Sequence, residues 1–126
     1  MVTPKRILIV DDSPIILAAA KHALLEAGYD VETRGSVEEV GARGADGFHL
    51  ILMDVQMPEL YGDDVAMVLR HERQIKTPIY LFSTLDDDEL KQRAADARVD
   101  GFISKAAGTE HLIAEVRRIL GQSETT

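Results

Sequence analysis

His49-Leu50-Ile51-Leu52-Met53-Asp54-Val55-Gln56-Met57-Pro58 decides how the chain is read. A strand-like apolar run leads straight into an acid, and Pro58 and then Gly62 break the pattern after it. A short apolar run bounded by breakers is the mark of a strand buried on both faces, as inside a parallel sheet. The carboxylate of Asp54 is thus expected where a buried strand meets a loop. In open α/β sheets, ligands bind at that edge, beyond the carboxyl ends of the strands. A single acid there is more often the cap of a turn, so the neighbouring segments must decide.

Working outward, Lys5-Arg6-Ile7-Leu8-Ile9-Val10 is a second apolar strand, and it too ends in acid, at Asp11 and Asp12. Ser13 and Pro14 supply an N-cap and a first-turn proline for a helix over about residues 14 to 27, closed by Gly28. Leu17, Ala20, Leu24 and Ala27 form its core seam, which leaves Ile15, Ile16 and Ala19 over. Asp30 to Thr33 is a short outer strand. Ser36 with Glu39 resembles a capping box, opening a helix weakened by Gly41 and Gly44 and ended by Gly47. A further helix runs from Gly62 to about Gln74 with Val65, Val68 and Leu69 inward.

Pro78-Ile79-Tyr80-Leu81-Phe82 is the fourth strand, ending in Ser83 and Thr84. Asp86, Asp87 and Asp88 open the next helix, where acids complement the helix dipole; Leu90 and Ala94 are its clear anchors. Gly101-Phe102-Ile103-Ser104 is the fifth strand, with Lys105 directly after it. Thr109 is expected to cap a last helix with Leu112, Val116, Ile119 and Leu120 as its seam, and residues 122 to 126 form a polar tail.

Five alternations of strand and helix, without repeat or linker, predict one domain over residues 1–126. The expected fold is a doubly wound α/β domain with a five-stranded parallel sheet and right-handed crossovers. In the flavodoxin-like strand order 2-1-3-4-5, strands one and three are neighbours and a crevice opens between their carboxyl ends. Those ends carry Asp11, Asp12 and Asp54.

Composition narrows the function. A length of 126 residues suits one core. The net charge of -8 argues against a general nucleic-acid or anionic-membrane binder. With Cys 0 there are no disulfides, thiol nucleophiles or thiolate metal sites. Ile7 to Val10, the longest apolar run near the N-terminus, is too short for a signal peptide or a membrane span, so a cytoplasmic protein is expected.

Three carboxylates in one crevice repel one another and need protons or a cation. Oxygen donors without His or Cys suit a hard ion, with Mg²⁺ the expected one. Strand four brings the Ser83 hydroxyl to the same edge, and strand five brings the Lys105 ammonium. A carboxylate nucleophile, a divalent cation, a fixed Lys and a hydroxyl make a site for a phosphoryl group, whose transfer needs in-line placement and charge neutralisation. Taken singly, Asp11 is a turn residue, Ser83 a strand-end cap and Lys105 a helix-end charge. Jointly, on four strands at one edge, those separate readings lose their force.

Ile7-Leu8-Ile9-Val10-Asp11-Asp12, Asp54 in Met53-Asp54-Val55-Gln56-Met57-Pro58 with Gly62, Ser83-Thr84, and Phe102-Ile103-Ser104-Lys105 together resemble a response-regulator receiver domain, over about Lys5 to Leu120. The resemblance implies that Asp54 accepts a phosphoryl group from a histidine kinase or a His-containing phosphotransfer protein. It implies that Asp12, Asp54 and the Gln56 backbone carbonyl ligate Mg²⁺, with Asp11 acting through water. Ser83 and Lys105 hold the phosphoryl oxygens, and Ser83 and Phe102 form the switch pair. Ile15, Ile16 and Ala19 would meet the phosphodonor. The output surface would be the fourth helix, fifth strand and fifth helix, met by a protein target or a second copy. Gln56, Thr84 and Leu85 would tune hydrolysis. No multi-turnover enzyme is implied, only self-catalysed phosphorylation and dephosphorylation at Asp54.

The sequence departs from the family pattern after Lys105, where Ala106 replaces the usual Pro. A cis bond without proline costs about 3 kcal/mol, so a trans bond or a rearranged loop is expected. Thr84 replaces a smaller residue, and Tyr61 stands where Asp or Asn is common. Rival readings fare worse. A pseudo-receiver acting only as an interaction module fits poorly, since no acid, hydroxyl or lysine is missing. A haloacid-dehalogenase-type hydrolase needs an acid where Gln56 stands. A flavodoxin needs a phosphate loop after strand one, where two acids stand instead.

Overall fold

The computed structural model describes residues 4–35, 47–56, 66 and 76–121. Five strands form one parallel sheet in the order β2-β1-β3-β4-β5. They are β1 (Arg6–Val10), β2 (Asp30–Arg34), β3 (Leu50–Asp54), β4 (Ile79–Ser83) and β5 (Gly101–Ser104). Three helices are described: α1 (Pro14–Glu26), α2 (Asp87–Ala97) and α3 (Thr109–Leu120), with a 3₁₀ turn at Lys105–Ala107.

The strands alternate their side chains between two apolar layers, as a pleat requires. On one face Ile7, Ile9, Leu50, Leu52, Phe82 and Ile103 pack with Ala20 and Leu24 of α1 and with Leu112 and Val116 of α3. On the other, Leu8, Val10, Ile51, Met53 and Ile79 meet Phe48 and Ala66, while Val55 and Leu81 meet Leu90 and Ala94 of α2. Every residue of β3 is buried, so the central strand is covered on both sides. β2 is the outer strand, as its mixed composition suggests.

The chain starts α1 with Ser13, whose Oγ accepts from the Ile16 N–H at 3.3 Å, and with Pro14 in the first turn. Leu17 and Ala27 flank the buried Ala20 and Leu24, completing the expected seam. Asp86 caps α2 by accepting from Glu89 N–H at 2.9 Å. Ala97 is a third buried anchor there, beside Leu90 and Ala94.

Two expectations shift. The N-cap of α3 is Gly108 rather than Thr109, which is the first helical residue and makes no capping bond. Gly108 takes φ 92 and ψ 175, a turn that a side chain would disfavour, and so carries the chain out of the 3₁₀ turn into α3. Ile16 does not stand outside the core; it packs against the α1–α3 layer, while Ile15 is 81% exposed. The expected Ser36–Glu39 capping box, the Gly62–Gln74 helix apart from Ala66, and the 122–126 tail lie outside the described residues. Among those residues no helix is long and apolar enough to cross a membrane.

Candidate phosphoryl site at the carboxyl edge of the sheet

Register brings the expected residues together. Val10 pairs with Met53, so Asp11 and Asp54 follow side by side at the ends of β1 and β3. Asp54 pairs with Phe82, which sets Ser83 one step further out, and Ser83 pairs with Ser104, which sets Lys105 beyond it. One carboxylate oxygen each from Asp11, Asp12 and Asp54 lies within 4.8 Å of the others. Asp11 and Asp54 are buried and Asp12 is exposed, so the cluster opens to solvent on one side.

Local turns fix these acids. Asp11 donates its N–H to Arg34 O at 3.1 Å, and its Oδ1 accepts from Ser13 N–H at 2.9 Å. Asp54 Oδ1 accepts from Gln56 N–H at 3.3 Å and from Lys105 Nζ at 3.2 Å. Lys105 Nζ also lies 2.5 Å from Asp11 Oδ2. That contact lacks hydrogen-bond alignment, so the oxygen is held by charge and is left without a directed donor. The Lys105 ammonium also sits over the buried Phe82 ring, 5.3 Å from its centroid.

Electrostatics follow from the count of three acids against one ammonium. Burial pushes the Asp54 carboxyl up to about 6; Lys105 opposes the rise and the neighbouring Asp11 adds to it. A divalent cation fits this donor set. All ligands are hard oxygens and they converge, with the Lys105 ammonium now on two of the three acids.

The remaining expected residues are more dispersed. Ser83 is buried, and its Oγ accepts from Leu85 N–H at 3.2 Å. Phe102 is half-buried against the Val55–Leu81–Leu90–Ala94 cluster, and Leu85 packs against the same cluster. Thr84 and Gln56 are exposed. No peptide bond among the described residues is cis, so Lys105–Ala106 is trans, as the absence of proline predicts. Met57, Pro58, Tyr61 and Gly62 lie outside the described residues. Sequence reasoning missed two partners of Lys105, the close Asp11 carboxylate and the Phe82 ring. An aromatic directly before the strand-four hydroxyl was the available signal.

Residues 7–117 match the profile of the response regulator receiver domain. The chain belongs to that family. It is 34% identical over 117 residues to a gliding motility regulatory protein of Myxococcus xanthus, covering 90% of this chain and 15% of the relative. It is 31% identical to the alkaline phosphatase synthesis transcriptional regulatory protein PhoP of Bacillus subtilis, covering 95% of this chain and 50% of that one. The receiver thus spans about half or less of the curated relatives it matches. Among solved structures it resembles the Vibrio cholerae chemotaxis protein CheY4, with TM-score 0.83 and 32% identity over 94% of this chain and 100% of that one. It also resembles the BeF3-activated receiver domain of DrrB from Thermotoga maritima, with TM-score 0.81 and 28% identity over 95% of this chain and 100% of that one. The acidic pocket of Asp11, Asp12 and Asp54 fits the phosphoacceptor site of a two-component receiver domain.

Proposed function

We propose that Asp54 accepts a phosphoryl group from a phosphohistidine donor, a histidine kinase or a His-containing phosphotransfer protein. The observation that carries this reading is a buried carboxylate at a strand end, 3.2 Å from a lysine and flanked by two further acids. An Asp54 oxygen forms the new O–P bond while the P–N bond to the donor imidazole breaks, and the imidazole takes up a proton. Lys105 holds one phosphoryl oxygen and the Ser83 hydroxyl donates to another, while its oxygen can still accept from Leu85 N–H. Asp12, Asp54 and the Gln56 carbonyl would hold Mg²⁺, with Asp11 behind a water; bound there, the ion neutralises the charge gathering on the transferred group.

The switch would run from Ser83 to Phe102, and the output surface is α2, β5 and α3, read by a protein target or a second copy. The anchors of α2 favour this: two of its three buried residues, Ala94 and Ala97, are small, and Leu90 is its one large buried side chain among the described residues. We place the working domain over residues 1–126, in a cytoplasmic setting, with turnover limited to Asp54 itself. Of the hydrolysis-tuning residues, Gln56 offers a polar side chain at the open edge, whereas Leu85 is packed toward α2.

Acetyl phosphate with Mg²⁺ tests the chemical step. The protein should gain the mass of one phosphoryl group, and Asp54→Asn should gain none; equal labelling of both would overturn the assignment. Beryllofluoride should compete with labelling. The donor surface has its own test. Ile15→Glu should slow transfer from a protein donor and leave acetyl phosphate labelling intact, because Ile15 is exposed on α1 beside the site. Unchanged transfer from the protein donor would remove Ile15 from that surface.

A further inference from the structure

The ammonium of Lys105 has two kinds of neighbour. Asp11 and Asp54 hold it by charge, at 2.5 and 3.2 Å. The Phe82 ring lies beneath it at 5.3 Å, and both side chains are nearly closed to solvent, Phe82 at 4% and the Lys105 side chain at 9% exposure. A cation over an aromatic face is attracted by the ring quadrupole, most strongly where water is excluded. Here little of either side chain reaches water. Beside the ring and the lysine stem lies a small cleft of about 60 Å³ lined by Ile16, Ala19, Ala20, Gly108, Thr109 and Leu112.

The two kinds of neighbour differ in permanence. Under the proposed function, Asp11 would face a water-bridged cation and Asp54 becomes an acyl phosphate of changed charge and shape. Both carboxylates therefore change as partners of the ammonium, which passes to a phosphoryl oxygen. The ring does not. Phe82 pairs with Asp54 itself in the sheet register and is packed among Ile103, Leu112 and the α1 residues. It is fixed to the same rigid frame as the nucleophile. A lysine on a flexible four-carbon stem needs such a fixed partner to stay aligned while its charged partners change.

We infer that Phe82 is a positioning residue for phosphoryl transfer, whose ring face holds the Lys105 ammonium beside Asp54 while its carboxylate partners change. The inference rests on the reading of Lys105 as a phosphoryl-oxygen ligand. Phe82 itself touches neither the phosphoryl group nor the metal.

Fluorination separates this role from packing, because it weakens the ring quadrupole with little change in shape. In the full chain, Phe82 is replaced by mono-, di- and trifluorinated phenylalanines, and in parallel by Phe82→Leu. Two quantities are read: the exchange of the Lys105 ammonium protons with water by nitrogen-resolved NMR without metal, and the initial rate of acetyl phosphate labelling with Mg²⁺. Exchange should quicken and labelling slow stepwise with each fluorine. The trifluorinated ring should label about tenfold more slowly than the parent, within the range of a partly desolvated cation–π contact, with Phe82→Leu at least as slow. A flat fluorine series in both readouts would overturn the inference even if Phe82→Leu were slow, since Phe82 would then be packing alone. A parent that does not label at all would sink the phosphoacceptor reading instead, while the exchange series still decides whether the ring holds the ammonium.

Discussion

The two ends of the sheet are built from similar charged residues and treat them in opposite ways. At the amino end, Arg6 reaches Glu32 at 2.6 Å, Asp30 at 3.5 Å and the Gly47 carbonyl at 3.3 Å, and lies over the Phe48 ring. His49 and Asp100 close strand starts: His49 Nδ1 accepts from Arg6 N–H and Asp100 Oδ2 from Ile79 N–H, each at 2.9 Å. Halfway along β2, Glu32 is held below the usual carboxylate range, first by Arg34 at the far end of that strand and then by Arg6. At the carboxyl end, Asp11, Asp12 and Asp54 cluster, the Lys105 ammonium reaches Asp11 and Asp54, and Asp54 is pushed up to about 6. One end is electrostatically closed and the other is left short of positive charge. A protein that kept the shortfall only as an accident of packing would gain by filling it; a site that awaits a cation needs it.

Removing the cation at each end should separate them most sharply. Lys105→Met leaves Asp11 and Asp54 buried without a counter-charge, at a cost of about 3 kcal/mol of metal-free stability near neutral pH. Millimolar Mg²⁺ should return a large part of that loss. Arg6→Met breaks half-exposed pairs and a ring contact, and should cost about 1 kcal/mol with no rescue by Mg²⁺. Thermal unfolding with and without EDTA reads both. Equal rescue of the two variants, or of neither, would erase the distinction between the ends.

The pH dependence of Asp54 sharpens the same contrast. Unfolded, its carboxyl titrates near 3.8; folded, it titrates near 6, because burial favours the neutral form. The folded state therefore binds the extra proton between those values. The group's contribution to metal-free stability is full below 3.8, falls as pH rises, and is lower by at most about 3 kcal/mol above 6. Asp54→Asn removes the charge and should be more stable than the parent by about 2 kcal/mol at about pH 8, with the gap closing near pH 4. Mg²⁺ should stabilise the parent more than the variant and narrow the gap. A gap that persists unchanged down to pH 4 would assign the gain to something other than the Asp54 charge.

Most of this architecture is legible in the sequence, for identifiable reasons. β1, β3, β4 and β5 are apolar runs that stop at acids, hydroxyls or a lysine, so both the strands and the chemistry at their ends can be read together. Alternation implies a doubly wound parallel sheet, and the flavodoxin-like order expected for it brings Asp11, Asp12 and Asp54 into one crevice. What stays hidden depends on direction and distance. α1 is apolar nearly all round, so its spacing does not show that Ile16 packs inward while Ile15 stays out. Leu85 follows the site hydroxyl in sequence, yet its side chain joins the apolar layer under α2. The cap of α3 falls on Gly108 because the backbone there needs a positive φ, which outweighs the capping preference of Thr109. The aromatic before Ser83 is visible in the sequence, but its place beneath Lys105 depends on a strand's pleat meeting a loop's side chain.

The smallest expected effect lies at the amino end and tests whether that end is purely structural. His49 N–H donates to Arg6 O at 2.8 Å, and its ring Nδ1 accepts from Arg6 N–H at 2.9 Å, so one residue supplies both halves of a ladder pair just before β3. The acceptor must be an unprotonated nitrogen, which places the ring proton on Nε2. His49→Ala leaves the Arg6 amide to water and should cost about 1 kcal/mol, since the site is exposed and the lost bond is neutral. His49→Asn should restore most of it, because the side-chain amide oxygen can stand close to where Nδ1 stands. Neither variant should change the acetyl phosphate labelling rate by as much as twofold, because the contact lies at the opposite end of β3 from Asp54. Denaturant unfolding and initial labelling rates measure the two halves of this statement. A slowed labelling rate in His49→Ala with stability intact would show that the amino end communicates with the phosphoryl site through β3, and the division between a closed end and a working end would fall.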